Sequence, residues 1–221
     1  MLSIWIWCWI TAMAGVLKRM ESQKLRQSYH CKPASWSAHV NAVQVSRQMQ
    51  TWLSNRDSLT ARLVARCQRF RVQRLSQHKA RCLADEYAAI GLARVQMVHE
   101  REVILRCDET PMIYGHTVVP LSATAKEWPL FHALGEKSLG STLFNDPGVR
   151  RGALSYARLH ASHPLMQRVM SHLPELSGVS WLPARRSLFW RRGACLLVTE
   201  VFLPASRNLP DLPLAAGLNK N

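Results

Sequence analysis

The segment RVQMVHEREVILRCDETPMIYGHTVVP, residues 94–120, decides the fold of this 221-residue chain. Apolar and polar side chains alternate over 94–108, a pattern typical of a β-strand with two different faces. Residues 108–110 and the following Pro111 favour a tight turn, because these residue types suit turn conformations. Residues 112–120 then predict a return strand, so the whole segment indicates an antiparallel hairpin.

The sequence on either side of this hairpin predicts further strands and several short helices. Strands are expected at 69–75 (as an edge strand), 152–160, 180–192 and 195–204, with a turn at Gly193. Helices are expected around 41–54, from Ser58 onward, over 123–134 and over 164–173; 80–93 is a short helix or loop, and 134–144 a loop. Strands joined by short turns favour an α+β domain with a mostly antiparallel sheet.

The composition indicates one globular domain with a preference for anionic partners. Apolar residues make up 48% of the chain, enough to build a core, and the formal net charge is +15. Such a charge attracts anions over long range but says nothing about the fold. Nucleic acid, a membrane surface and a small polyanionic substrate remain open as partners, beside a merely solvated basic surface.

The cysteines and histidines do not indicate a metal site. The six cysteines, at positions 8, 31, 67, 82, 107 and 195, lack CxxC or zinc-type spacing. Free thiols in a reducing compartment are therefore expected. His160 and His163 form an HxxH pattern, but no neighbouring Cys or carboxylate completes a ligand set. We predict no metal.

The N-terminus begins with an apolar run at residues 2–17, followed by Lys18 and Arg19. As a helix this run spans about 24 Å, which is shorter than the roughly 30 Å hydrocarbon core of a bilayer. Three interpretations remain: a marginal membrane anchor, a partner-binding extension, or a start codon assigned too far upstream, which we favour. The predicted organisation is an extension at 1–40, a domain at 41–206 and a flexible tail at 207–221.

Two charged residues occupy strand positions where the pattern calls for apolar side chains. Residues two apart on a strand share one face. Arg101 therefore shares its face with the apolar residues Val103, Leu105 and Cys107. Glu200 likewise shares its face with the apolar residues Leu196, Val198 and Phe202. Burying an unpaired ion costs several kcal/mol, so each of these charges needs a partner.

Two interpretations of Arg101 and Glu200 follow from this placement. In the first, the two residues pair with each other or with neighbours and have only a structural role. In the second, they line a pocket, where an arginine fork suits a carboxylate and a shielded glutamate binds a hydroxyl or accepts a proton. The second interpretation suits a ligand with one anionic end and one hydroxyl end.

Other polar residues give weaker signals. His116 shares its face with Met112, Tyr114 and Val118, which favours a histidine in the core or at a pocket rim. Four arginines flank the segment SLFW and indicate either an anion-attracting patch or a solvated strand end: Arg185, Arg186, Arg191 and Arg192.

Several segments, taken in order, resemble those of the bacterial chorismate pyruvate-lyases. They are WLSNRDSLTARL (52–63), EREVILRCDETPMIYGHTVVPL (100–121), LGEKSLGSTLF (134–144), PARRSLFW (183–190) and LLVTEVFLPAS (196–206). The resemblance extends from about residue 50 to residue 206. It implies a single, monomeric, cytoplasmic α+β domain with a six-stranded sheet, an internal pocket beneath two flaps, and no metal or cofactor.

The resemblance also implies an activity and a set of site residues. Members of the family split chorismate into 4-hydroxybenzoate and pyruvate, on the route to ubiquinone. Arg101 matches the arginine that binds the carboxylate, Glu200 matches the glutamate at the ring hydroxyl, and Leu59 and Leu139 match two residues whose backbone amides hold the carboxylate. His116 departs from the family, which commonly has an arginine there, and this change affects product release or inhibition more than the chemistry.

Two questions remain open at this point. Glu200 is either the base that removes the ring proton, or it only orients a substrate whose ether side chain removes that proton. The rival function is a non-catalytic effector-binding domain, as in some transcription regulators. The first 50 residues show no convincing helix-turn-helix, so no nucleic acid partner is expected.

Overall fold

The computed structural model describes residues 33–124, 127–131 and 133–209. The predictions for the apolar run at 2–17 and for most of the tail at 207–221 therefore fall outside the described residues. Ser37 forms a bridge with Tyr156, and Leu209 is buried. The predicted division at residues 41 and 206 stays a prediction.

Six strands form one antiparallel sheet in the order β1-β2-β3-β6-β5-β4. The strands are β1 (Phe70–Arg81), β2 (Met97–Cys107), β3 (Thr110–Pro120), β4 (Val149–His160), β5 (Trp181–Arg191) and β6 (Ala194–Phe202). This arrangement confirms the α+β class and the antiparallel sheet. The predicted hairpin is the β2–β3 pair, whose two turn residues, Asp108 and Glu109, both have positive φ. Positive φ at both positions suits the right-handed twist of the strands.

Within the described residues, five short α-helices lie around the sheet. They are α1 (Arg47–Ser54), α2 (Leu59–Val64), α3 (Leu121–Thr124), α4 (Leu139–Asn145) and α5 (Pro164–His172). Single 3-10 turns occur at Val40–Val43, Pro129–Phe131, Pro174–Leu176 and Pro204–Asn208. No helix among the described residues combines the length and apolar character that crossing a bilayer requires.

Both faces of the sheet are covered, because apolar side chains point to each of them. We call the face that carries Arg101, Val103 and Leu105 the front face, and it packs against α1, α2 and α4. The opposite, back face carries Glu100, Glu102 and Ile104 on β2. It packs against α5 and against the turns that follow β1.

Several local predictions were wrong in detail. The predicted loop at 134–144 contains helix α4, and Ser138 stands at the position before its first residue. The predicted helix at 41–54 begins only at Arg47, where the Ser46 hydroxyl accepts a hydrogen bond from the Met49 amide. Strand β1 extends beyond the predicted 69–75 to Arg81, because its pairing partner β2 continues along its whole length.

The expectation of free thiols is wrong for one pair. Cys67, just after α2, and Cys107, at the end of β2, form a disulfide with their Cα atoms 5.2 Å apart. The two residues are 40 positions apart in sequence, so only the packing of α2 on the front face brings them together. Cys82 and Cys195 are free and buried.

Candidate active site

A pocket of about 610 Å³, including its mouth, lies on the front face of the sheet. It brings together all four residues that the sequence singled out, namely Leu59, Arg101, Leu139 and Glu200. Its floor is formed by the front-face side chains of β2, β3, β5 and β6, and α2 and α4 cover it. The remaining charged residues of its lining are Arg151 and Arg185.

Arg101 is buried and has no anionic partner among the described residues. Only 2% of the residue is exposed, and its Nη2 donates to the carbonyl oxygens of Gly135 (3.1 Å) and Lys137 (3.0 Å). Its Nε is buried and has no hydrogen-bond acceptor among the described residues. No described carboxylate lies within 4.0 Å of the guanidinium, in contrast to the other buried charges. Burial, and to a lesser extent the charge of Arg74, lower the pKa of Arg101 to about 10, so it is a cation at neutral pH.

Glu200, unlike Arg101, has an ionic partner within the protein. Arg185 Nε lies 2.5 Å from Glu200 Oε2, and Arg185 is 1% exposed. Arg185 Nη1 also donates to the carbonyl oxygens of Trp52, Leu53 and Asn55 at the end of α1. Oε2 of Glu200 therefore has the structural role of pairing with a neighbouring residue, as the first of the two interpretations held. Oε1 accepts no hydrogen bond from the described residues. Arg101 and Glu200 are not paired with each other.

The spacing between Arg101 and Glu200 follows from the sheet. Arg101 on β2 is paired with Thr117 on β3, and Glu200 on β6 is paired with Gly115 on β3. The two residues therefore stand two strands apart, about 10 Å across the sheet. Both side chains line the pocket, and between them on β3 stands Gly115, where a Cβ would lie 3.0 Å from a methyl group of Val103. Glycine at this position therefore leaves the floor between the two charged residues without a side chain.

Leu59 and Leu139 are the first residues of the two helices that cover the pocket. Each residue is the first of its helix, α2 or α4, where a backbone N–H has no acceptor within the helix. The hydroxyls of Thr60 and Ser138 are 2.7 Å apart and join the two helix starts. A Cβ at Gly140 would lie 2.8 Å from Thr60 Oγ1, so this close approach requires glycine.

Sequence reasoning missed Arg151, which also lines the pocket. The predicted strand began at residue 152, whereas β4 begins at Val149 and includes Arg151 on the front face. The alternation of the RRGAL segment, extended three residues upstream, could have found it.

The interpretation of four arginines around SLFW as an anion-attracting patch or a solvated strand end is wrong for three of them. Arg185 pairs with Glu200 inside the pocket wall. Arg186 donates to the Asp85 carbonyl oxygen at 2.7 Å, and Arg191 pairs with Asp146 at 3.0 Å. Long side chains on β5 thus bind protein groups that only the tertiary structure places beside them.

His116 lies on the back face and does not line the pocket. It is fully buried, with Nε2 2.8 Å from Glu86 Oε1 and Nδ1 3.5 Å from Glu102 Oε1. Burial alone would lower its pKa, but the charge of Glu86 and the contact with Glu102 outweigh burial and raise the pKa to about 10. The structure thus places His116 in the core rather than at a pocket rim.

Around His116, the described residues form a compact group of charges, in which the carboxylates and the histidine are buried and the Arg168 side chain is 30% exposed. Arg168 Nη1 from α5 lies 2.9 Å from Glu100 Oε2 and 2.5 Å from Glu102 Oε1. Glu100, Glu102 and His116 offer three possible metal ligand atoms within 4.8 Å of one another. We call Glu86, Glu100, Glu102, His116 and Arg168 the back cluster. Because cations of the protein already contact each of its carboxylates, the arrangement is accounted for by ion pairing.

The HxxH pair has no shared role. His163 Nε2 lies 3.4 Å from Asp85 Oδ2, and its Nδ1 accepts a hydrogen bond from the Leu165 amide at the start of α5. His160 is exposed at the end of β4. The helix start, rather than a metal, explains His163.

Comparison with known proteins gives consistent results. A model of the chorismate lyase family matches residues 31–209. A probable chorismate pyruvate-lyase from Cupriavidus metallidurans is 45% identical over 198 residues, covering 88% of this chain and 89% of that protein. Another from Nitrosomonas europaea is 38% identical, covering 80% and 97% of the two chains. Among solved structures, a GntR-family regulator from Bacillus cereus is 12% identical with a TM-score of 0.48, covering 65% and 98%.

Proposed function

Because the chain belongs to the chorismate lyase family, we propose that it converts chorismate into 4-hydroxybenzoate and pyruvate. The observation that supports this most directly is the front-face pocket. It places a buried guanidinium without an anionic partner about two strands from a carboxylate with one open oxygen. A ligand with a carboxylate at one end of a ring and a hydroxyl at the other satisfies both groups.

The reaction is an elimination that makes the ring aromatic. The proton on the hydroxyl-bearing ring carbon leaves, its electron pair enters the ring, and the neighbouring carbon–oxygen bond to the enolpyruvyl group breaks. Enolpyruvate then takes up a proton on carbon and becomes pyruvate. Since aromatisation drives the reaction, the contribution of the protein is chiefly orientation and placement of charge.

We assign the roles of the four residues as follows. Arg101 and the amides of Leu59 and Leu139 bind the ring carboxylate, because all three residues line the pocket and the two leucines are the first residues of helices, where a backbone N–H has no acceptor within the helix. Glu200 accepts a hydrogen bond from the ring hydroxyl through Oε1, while Arg185 holds Oε2 in place. Burial of the pocket strengthens these contacts by excluding water.

One substitution distinguishes a Glu200 that acts as the base from a Glu200 that only orients the substrate. Glu200→Gln retains the shape and a hydrogen-bonding oxygen but accepts no proton. If Glu200 is the base, we expect turnover to fall by several orders of magnitude. If it only orients the substrate, turnover stays near that of the wild type and product binding weakens.

The proposal includes a setting as well as a reaction. We place the enzyme in the cytoplasm, as a monomer that needs no metal or cofactor and supplies 4-hydroxybenzoate for ubiquinone synthesis. The resemblance to the family supports these points, and the division into an extension, a domain at 41–206 and a tail belongs with them.

The decisive experiment is incubation of the purified full-length chain with chorismate. We expect 4-hydroxybenzoate and pyruvate in equal amounts, measured by chromatography and by a coupled pyruvate assay. Tight binding of 4-hydroxybenzoate without any turnover of chorismate would instead favour an effector-binding domain and contradict the proposal.

A further inference from the structure

The charges that line the pocket do not balance. Among the described lining residues, three are arginines (Arg101, Arg151 and Arg185) and one is a carboxylate (Glu200). Glu200 forms its ion pair with Arg185, and no carboxylate among the described residues lies within 4.0 Å of Arg101 or Arg151, although the charge of Glu200 acts on Arg151 from farther away. Arg101 is buried and Arg151 is partly buried. A positive charge shielded from water is costly to leave without a counter-ion, so this excess indicates a ligand with two negative charges.

Arg151 is held in place by neutral groups only. Its Nε donates to Ser187 Oγ at 3.0 Å, and its Nη1 donates to the Arg56 carbonyl oxygen at 2.7 Å. Its guanidinium carbon lies 5.4 Å from the ring centroids of both Phe144 and Phe189. No described carboxylate lies within ion-pair distance of it, and its remaining N–H groups have no acceptor among the residues described. The guanidinium is therefore oriented in advance, yet free to bind an anion.

Arg151 and Arg101 lie on different strands, at opposite sides of the pocket floor. Arg151 lies on the edge strand β4 and reaches Ser187 on β5, whereas Arg101 lies on β2. Ser187 pairs with Val198, which pairs with Thr117, which pairs with Arg101. This row spans three strand spacings, about 14 Å between backbones, and the two long side chains reach inward from its ends. Two anionic groups on one small molecule fit between them.

We propose that Arg151 binds the carboxylate of the enolpyruvyl group, the second carboxylate of chorismate. This inference rests on the proposed function and adds a subsite to it. Chorismate carries one carboxylate on the ring and one on the enolpyruvyl ether, so it matches the two unpaired cations. The product 4-hydroxybenzoate retains only the ring carboxylate, so Arg151 distinguishes substrate from product, whereas Arg101 binds both.

The local structure of β4 supports this assignment. The pairing of β4 with β5 shifts register between Arg151 and Leu154, an irregularity of the kind that redirects a side chain. Burial, followed by the charge of Arg185, lowers the pKa of Arg151 to about 10, which leaves it protonated at neutral pH. Its contact with the Arg56 carbonyl oxygen also ties it to the loop between α1 and α2, at the cover of the pocket.

The test compares substrate turnover with product binding in Arg151→Met. We expect kcat/KM for chorismate to fall about 10- to 100-fold, as for the loss of one charge-assisted hydrogen-bonded pair, while the Kd of 4-hydroxybenzoate changes less than about threefold. Arg151→Lys should fall between the wild type and Arg151→Met. The matched control is Arg150→Met, which removes the same charge from the exposed neighbouring position and should leave both quantities unchanged.

A substrate variant sharpens the test. Chorismate esterified with methyl at the enolpyruvyl carboxylate should be a poorer substrate for the wild type by about the same factor, 10- to 100-fold. For Arg151→Met the ester and chorismate should react almost equally, because the contact that distinguishes them is gone.

Two results would overturn the subsite. One is unchanged chorismate turnover in Arg151→Met; the other is an equal loss of chorismate turnover and 4-hydroxybenzoate binding, which would assign Arg151 to the ring carboxylate or to structure. In both cases the wild type still converts chorismate. Failure of the proposed function is different, because the wild type itself would then produce no 4-hydroxybenzoate.

Discussion

Strand β2 carries Arg101 on its front face and Glu100 and Glu102 on its back face, and all three residues are at most 5% exposed. On the back face, every carboxylate has a cation of the protein beside it, from His116 or Arg168. On the front face, Arg101 has only the carbonyl oxygens of two loop residues. The same strand thus carries buried charges with counter-ions on one face and a buried charge bonded to carbonyl oxygens on the other.

The difference between the faces distinguishes structural charges from binding charges. A buried ion that is fully paired within the protein contributes to folding and has nothing left to offer a ligand. A buried ion that lacks a counter-ion is less favourable in the free protein, and a ligand of opposite charge removes that cost. We therefore expect front-face substitutions to change activity and back-face substitutions to change stability.

The largest expected effect is that of Arg101→Ala on activity. We expect kcat/KM for chorismate to fall about 10³-fold, since removing one side of a buried charge contact costs up to several kcal/mol. The free energy of unfolding should change by no more than about 1 kcal/mol, because no buried carboxylate loses its partner. Steady-state kinetics and urea unfolding measure the two effects. Arg106→Ala, on the same strand and bound to Gln73, is the control.

The reverse pattern is expected for Arg168→Met on the back face. Removing this guanidinium leaves Glu100 and Glu102 buried with fewer cations, which should lower the free energy of unfolding by about 3 kcal/mol. The folded fraction should retain kcat/KM within a few-fold. Arg69→Met, which removes an exposed ion pair with Glu109, should cost less than about 0.5 kcal/mol in the same urea experiment. Loss of activity without loss of stability in Arg168→Met would break the division between the faces.

A smaller effect, dependent on pH, is expected at His116. Its pKa is raised from 6.5 to about 10 in the folded protein, so the proton that it holds stabilises the fold. That contribution is complete below about pH 6.5 and is lost as the pH rises through 10. The stability advantage of the wild type over His116→Gln should therefore be largest at about pH 6 and should shrink by a few kcal/mol towards pH 10. A difference that is constant from pH 6 to pH 10 would mean that the histidine is neutral in the fold.

The smallest expected effect is that of salt. The formal charge of +15 and the unpaired cations of the pocket should attract the dianionic substrate, so kcat/KM should fall severalfold between about 20 and 300 mM salt. The stability difference between wild type and Arg168→Met should change less over that range, because the carboxylates that Arg168 contacts are buried. A flat response of kcat/KM to salt would argue against long-range attraction of the substrate.

Particular residues show which parts of the site could be predicted from the sequence. Alternation along β2 and β6 placed Arg101 and Glu200 on apolar faces, because a strand has a fixed period of two. The same rule missed Arg151, because its strand was predicted to begin at residue 152, three residues after its actual start at Val149. It also misjudged Arg185, since alternation predicts the face on which a side chain lies but not the residue that it contacts on that face. The helix at Leu139–Asn145 escaped because two glycines within 134–144 suggested a loop.

The sequence by itself determined the hairpin, the α+β class, the two inward-facing charges and the likeness to the family, because these depend on neighbours along one chain. Only the tertiary structure decided which charges have partners. Glu200 meets Arg185 from β5, His116 meets Glu86 from a turn, and Arg101 meets no carboxylate within the described part of the chain. Ion pairing depends on distances of a few ångströms between residues far apart in sequence, and the periodicity of one strand does not determine those distances.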